Sequence, residues 1–175
     1  MSASDLRPAG PGPQVWFAAS ATLALAAVAI ALVTQHGFGM QPCPWCVLQR
    51  AIFVAIALAA SLGCVWRSPT GRLSSALATA VLAGLGVAAA LWHYFVASDS
   101  ASCNLTLADR IVSGLALDTL LPPVFAATAS CADAKVRLLG LPYPFWSLGV
   151  FVAISAVVFG KILLGKHAAA NAATR

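Results

Sequence analysis

Four long apolar blocks dominate the chain, the first three parted by short polar or proline-containing segments and the fourth set off by a long loop. The first runs from Val15 to Val33 without a charge, and the second from about Val47 to Trp66, interrupted only by Arg50 near its start. The third covers Leu73 to Val96 and the fourth about Phe145 to Leu164, where Lys161 can snorkel at the end. Each block is long enough to cross about 30 Å of hydrocarbon as a helix. The pattern predicts an all-α membrane protein, a four-transmembrane-helix bundle with spans at 15–33, 47–66, 73–96 and 145–164. The first block is longer than the usual signal-peptide core of about 7–15 residues, and no clear small-x-small cleavage site leads up to Gln35, so it reads as a retained helix. In the third, Ala76, Ala80, Gly84 and Ala88 recur at four-residue spacing, a small-residue ridge on which a neighbouring helix can lie close.

Composition agrees: 61% of the 175 residues are hydrophobic and only 9% charged, too few charges to cover a soluble domain of this size. The formal charge of +5 is no nucleic-acid signal, because the basic residues are sorted by side. Arg7, Arg67, Arg72, Lys161, Lys166 and Arg175 fall before span 1, between spans 2 and 3, and at or beyond the end of span 4. Arg50, Arg110, Lys135 and Arg137 fall on the other side, most of them in a loop with Asp99, Asp109, Asp118 and Asp133. The positive-inside rule then puts both termini in the cytoplasm and exports the segments 34–44 and 97–144. Residues 1–14 read as a disordered cytoplasmic tail and 166–175 as a second cytoplasmic tail. In the long exported loop, 120–127 reads as a segment lying on the membrane surface, while Tyr143 and Trp146 fit an interfacial belt at the re-entry point.

This topology sorts the cysteines. Cys43, Cys46, Cys103 and Cys131 lie on the oxidising side and Cys64 near the cytoplasmic end of span 2, the arithmetic of two disulfides and a spare thiol. Cys43 and Cys46 form a Cys-x-x-Cys at the start of an apolar stretch. A disulfide over so short a loop removes little unfolded-chain entropy, so the pair suits being made and broken better than stapling. Cys46 is expected near a helix start, where free N–H groups favour a thiolate, with Arg50 one turn on along the same face. These residues describe a redox site at a membrane surface. A four-thiolate metal site is disfavoured, since only one pair has ligand-like spacing in a compartment that oxidises free thiols.

The ordered set resembles the DsbB family, membrane proteins that pass electrons from periplasmic thiols to quinones. The likeness covers about residues 15–165. It rests on Cys43-Pro44-Trp45-Cys46 followed by Arg50, on the two loop cysteines, on Pro122-Pro123-Val124-Phe125, and on Leu139-Gly140-Leu141-Pro142 before span 4. The resemblance implies that Cys43 and Cys46 are the quinone-proximal pair, with Cys46 the thiolate facing the ring and Arg50 supporting that site. It implies that Cys103 forms the mixed disulfide with a thioredoxin-fold, DsbA-type partner, with Cys131 as its loop mate, and that His93 lies near the quinone. The electron acceptor is then ubiquinone or menaquinone, and the setting the bacterial inner membrane with the cysteines facing the periplasm. Gln49 stands where some members carry an acidic residue. The competing readings are a vitamin-K-epoxide-reductase-like enzyme, in which the loop cysteines precede the Cys-x-x-Cys, and a tetraspan scaffold whose disulfides only brace a loop.

Overall fold

The structure, a computed structural model, describes residues 12–97, 106–133 and 137–173. Four long helices carry the fold: α1 (Pro13–Phe38), α2 (Pro44–Val65), α3 (Pro69–Phe95) and α7 (Tyr143–Ala173). All four meet the length and apolarity needed to cross a membrane, over Gln14–Phe38, Pro44–Val65, Pro69–Phe95 and Tyr143–Gly160. They begin earlier than hydropathy alone suggests, because α1, α2 and α3 each open on a proline. Proline's fixed φ and missing N–H suit the first helical turn, where that donor has no partner anyway. The expected C-terminal tail begins inside α7, whose backbone stays helical to Ala173. The predicted N-terminal tail falls almost entirely outside the described residues, as do the side chain of Lys161 and all of Cys103.

The first helix is an integral member of the bundle, packed on α2 and α7, while α3 packs on α2 and α7 from the other side. At the centre the rings of Phe53 and Phe151 stack at 3.9 Å and 5°. Ala24, Ile56, Ala83 and Ile154 surround them with essentially no exposure.

Only the first half of the predicted small-residue ridge of α3 meets a neighbour: Ala80 is buried and Ala76 packs against the core. Gly84 and Ala88 face outward, and the buried line runs through Ser75, Thr79, Ala83, Gly86, Ala90 and His93. The reason is geometric: a strict four-residue step advances about 400° around a 3.6-residue helix, so the stripe drifts about 40° per repeat off a straight neighbour. Alternating three- and four-residue steps stay on it. Gly86 is the tightest point, where an added Cβ would lie 2.3 Å from the Phe151 ring. Phe151 is pinned against Phe53 and cannot yield. Gly86→Ala is therefore expected to cost about 1–3 kcal/mol of stability. Gly84→Ala, where nothing lies within 4 Å, should be harmless. Thermal unfolding of both variants in detergent checks this, and equal melting would refute the close approach.

At the end of the bundle where α2 and α7 begin, the long loop folds back over the helices. It forms α4 (Leu107–Gly114), α5 (Leu117–Leu120) and α6 (Pro122–Phe125), and then a two-residue hairpin, β1 (Arg137–Leu138) with β2 (Leu141–Pro142). Thr106 and Asp109 close a capping box at the start of α4. The segment 120–127 does not simply lie on a surface. Leu120 and Leu121 are exposed, but Phe125 is buried with Val47, Leu48, Ala108 and Val112, so α4 and α6 cap α2.

Candidate redox site

Backbone bonds tie the loop to the Cys-x-x-Cys. The N–H groups of Thr128 and Ala129 both donate to the carbonyl of Pro42, at 3.0 and 3.3 Å. Arg50 donates to the carbonyl of Val124 at 3.1 Å, and His36 bonds that of Pro123 at 3.2 Å. These stitches bring Cys131 into the same buried cluster as Cys43, near enough for each thiol to shift the other's proton affinity.

Cys43 is the N-cap of α2, and its sulfur accepts the N–H of Cys46 at 3.4 Å. The two sulfurs lie 2.8 Å apart, within the ordinary contact distance of unbonded sulfurs and poised for bond formation. His93, reaching in from α3, brings Nε2 to 3.4 Å from the Cys43 sulfur. Its Nδ1 meets the amide nitrogen of Gln49 at 3.3 Å. Cys43, His93 and Cys131 are all buried, at 0, 4 and 5% exposure.

The outer thiols differ in proton affinity. Hydrogen bonding with Cys43 and the neighbouring His93 outweigh burial, holding the Cys131 thiol at about 5 against the usual 9.0. Cys43 is pushed in the opposite direction, first by its bond to Cys131, then by Cys46 and by burial. These opposite directions favour Cys131 over Cys43 as the nucleophile of the pair.

On the far side of Cys46 lies a cleft of about 120 Å³ between α1, α2 and α7. Ala27, Ile30, Ala31, Phe53 and Val150 make its walls apolar; Cys46, Gln49, Arg50, Tyr143, Trp146 and Ser147 supply the polar atoms. A smaller recess of about 20 Å³ next to Gln41 and Pro42 shares Cys46, Arg50 and Tyr143 with it. Arg50 is only 5% exposed, yet its acceptors are neutral oxygens: Gln35 Oε1, the Val124 carbonyl and the Ala31 carbonyl at 3.4 Å. Among the described residues no carboxylate pairs with it, so its charge stays available to an electronegative atom entering the cleft.

Of the residues singled out in the sequence, Cys43, Cys46, Arg50, His93 and Cys131 converge here, and Cys103 lies outside the described residues. His93 is not among the residues lining the cleft; it stands behind Cys43. The sequence marks Gln49 only as a substituted position and Tyr143 only as a belt residue, yet both line the cleft. Their signals, one residue before Arg50 and the first turn of α7, gain meaning only once the helices are packed.

A family model described as disulfide bond formation protein DsbB matches residues 13–160. The chain belongs to the DsbB family. It is 37% identical to disulfide bond formation protein B of Herminiimonas arsenicoxydans over 145 residues, covering 82% of this chain and 89% of that protein. It is 34% identical to the protein of the same description from Cupriavidus necator over 157 residues, covering 88% and 96%. The order of cysteines on four apolar helices thus led to the right family. As a DsbB family member the chain is a membrane thiol–disulfide oxidoreductase.

Proposed function

We propose that this DsbB family protein reoxidises a periplasmic DsbA-type thioredoxin-fold protein and delivers the electrons to ubiquinone or menaquinone in the bacterial inner membrane. The observation that carries this reading is Cys43–Cys46, held between the loop thiol Cys131 and an apolar cleft edged by Arg50. The sorting of basic residues supports cytoplasmic termini, with the site on the periplasmic face.

The partner's thiolate attacks Cys103 of a Cys103–Cys131 disulfide, forming a mixed disulfide and releasing the Cys131 thiolate. Cys131 attacks the nearer sulfur of oxidised Cys43–Cys46; a Cys43–Cys131 bond forms and Cys46 leaves as thiolate toward the cleft. The partner's second thiol resolves the mixed disulfide and frees Cys103. Cys103 then attacks Cys131, restoring the loop disulfide and releasing Cys43. A quinone in the cleft supplies the acceptor for two electrons and two protons as Cys43–Cys46 re-forms. The cleft's apolar walls suit a flat ring, and Arg50 is placed to hold an oxygen of that ring and offset charge gathering there.

Anaerobic assay of the purified protein with reduced partner and added quinone tests the coupling. One quinone should be reduced for each partner disulfide formed. Partner oxidation without quinone consumption would overturn the proposal.

A further inference from the structure

Cys43, Cys46 and His93 offer two sulfurs and an imidazole nitrogen, all within 4.8 Å of one another. Cys131 lies outside that group but in the same buried cluster as Cys43 and Cys46, on the loop that folds over them, so a small shift of the loop would bring in a third sulfur. We propose that the reduced protein has a second activity as a metal trap, in which Cys43, Cys46, Cys131 and His93 bind one thiophilic divalent cation, zinc or cadmium, and that formation of the Cys43–Cys46 disulfide abolishes the site.

Three thiolates and one imidazole form a tetrahedral donor set of the kind that closes around such ions. With metal–sulfur bonds of about 2.3 Å, two thiolates on a tetrahedral ion lie about 3.8 Å apart. The 2.8 Å between Cys43 and Cys46 must therefore open by about 1 Å, within reach of side-chain rotation at a helix start. Once the disulfide forms, the sulfurs lose their charge and are fixed together, so ligation and oxidation exclude each other.

Gln49 makes the histidine usable. Its amide nitrogen faces His93 Nδ1, a pairing that leaves the proton on Nε2, the atom turned toward Cys43. Rotating the amide presents its oxygen instead, which accepts a proton on Nδ1 and frees Nε2 to bind metal. A carboxylate here could serve only the second arrangement. The complex would carry one net negative charge, and Arg50 lies close enough to Cys46 and Cys43 to offset it. Binding releases the thiol protons to solvent and moves no electrons.

The proposal rests on the redox reading only in requiring that Cys43 and Cys46 cycle through a reduced state; metal uptake itself needs no turnover, so the two ideas fail separately. The test is cadmium titration of anaerobic, phosphine-reduced, desalted Cys64→Ser/Cys103→Ser protein, followed by the ultraviolet thiolate-to-cadmium band. One equivalent should bind to the reduced form and none to the oxidised form. His93→Ala should weaken binding by about ten- to a hundred-fold. Cys43→Ser should abolish it. In the unmutated reduced protein, zinc alone should shield the Cys43 and Cys46 peptides from maleimide while leaving Cys64 labelled, a readout that depends on no variant folding. Absence of the cadmium band, its persistence in Cys43→Ser, an unchanged affinity in His93→Ala, or full labelling of Cys43 and Cys46 under zinc would each overturn the proposal.

Discussion

Cys46→Ser is expected to lower steady-state quinone reduction at least about 10³-fold, because among the described residues no other sulfur borders the cleft. The loss should be confined to the quinone half of the cycle. The partner can still attack Cys103 and free Cys131, so one round of exchange proceeds before the protein stalls. Cys43→Ser should fail as completely for a different reason, since Cys131 then has no disulfide to attack. The two variants separate in a single-turnover experiment with reduced partner, read by acid quench and thiol counting, and both should retain the mixed disulfide. Normal steady-state quinone reduction by Cys46→Ser would end the proposed path.

Arg50 carries the second large effect. Among the described residues its hydrogen bonds go to neutral acceptors, an arrangement with a desolvation cost that a ligand's partial negative charge would help to repay. One such contact is worth about 1.4–3 kcal/mol, so Arg50→Ala should lose roughly ten- to a hundred-fold in turnover per quinone concentration. Lysine keeps the charge but cannot reach Gln35, Ala31 and Val124 with a planar fork, so Arg50→Lys should lose less. Exchange between Cys103 and the partner should stay nearly unchanged in both. Quinone titrations with each step measured separately provide the check, and wild-type quinone kinetics in Arg50→Ala would reduce the residue to a membrane anchor.

The parts of this molecule legible in sequence were those written locally. Apolar block length announced the four helices, and the position of Cys43 before a proline-led helix placed Cys46 in its first turn. Periodicity was less reliable within α3, because composition does not reveal which stripe meets Phe151; Gly86 was buried while the more regular Gly84 was not. The loop was the hardest to read. Its attachment depends on main-chain bonds from Thr128 and Ala129 to Pro42, and main-chain donors leave no trace in residue identity. The approach of Cys131 to Cys43 follows from those bonds, whereas the packing of α3 on α2 sets the place of His93 behind the pair. A non-local contact of this kind is set by packing, and neither spacing nor hydropathy encodes it.

That contact also bears the central claim, that electrons cross from the loop to the Cys-x-x-Cys through Cys131 and Cys43. A partner variant retaining only its attacking cysteine cannot resolve its mixed disulfide, so mixing it with oxidised protein without quinone should halt the cycle there. Peptide mapping after acid quench and alkylation should then show Cys43 linked to Cys131, Cys103 linked to the partner, and Cys46 alkylated. An intact Cys43–Cys46 disulfide with Cys131 alkylated would contradict the account.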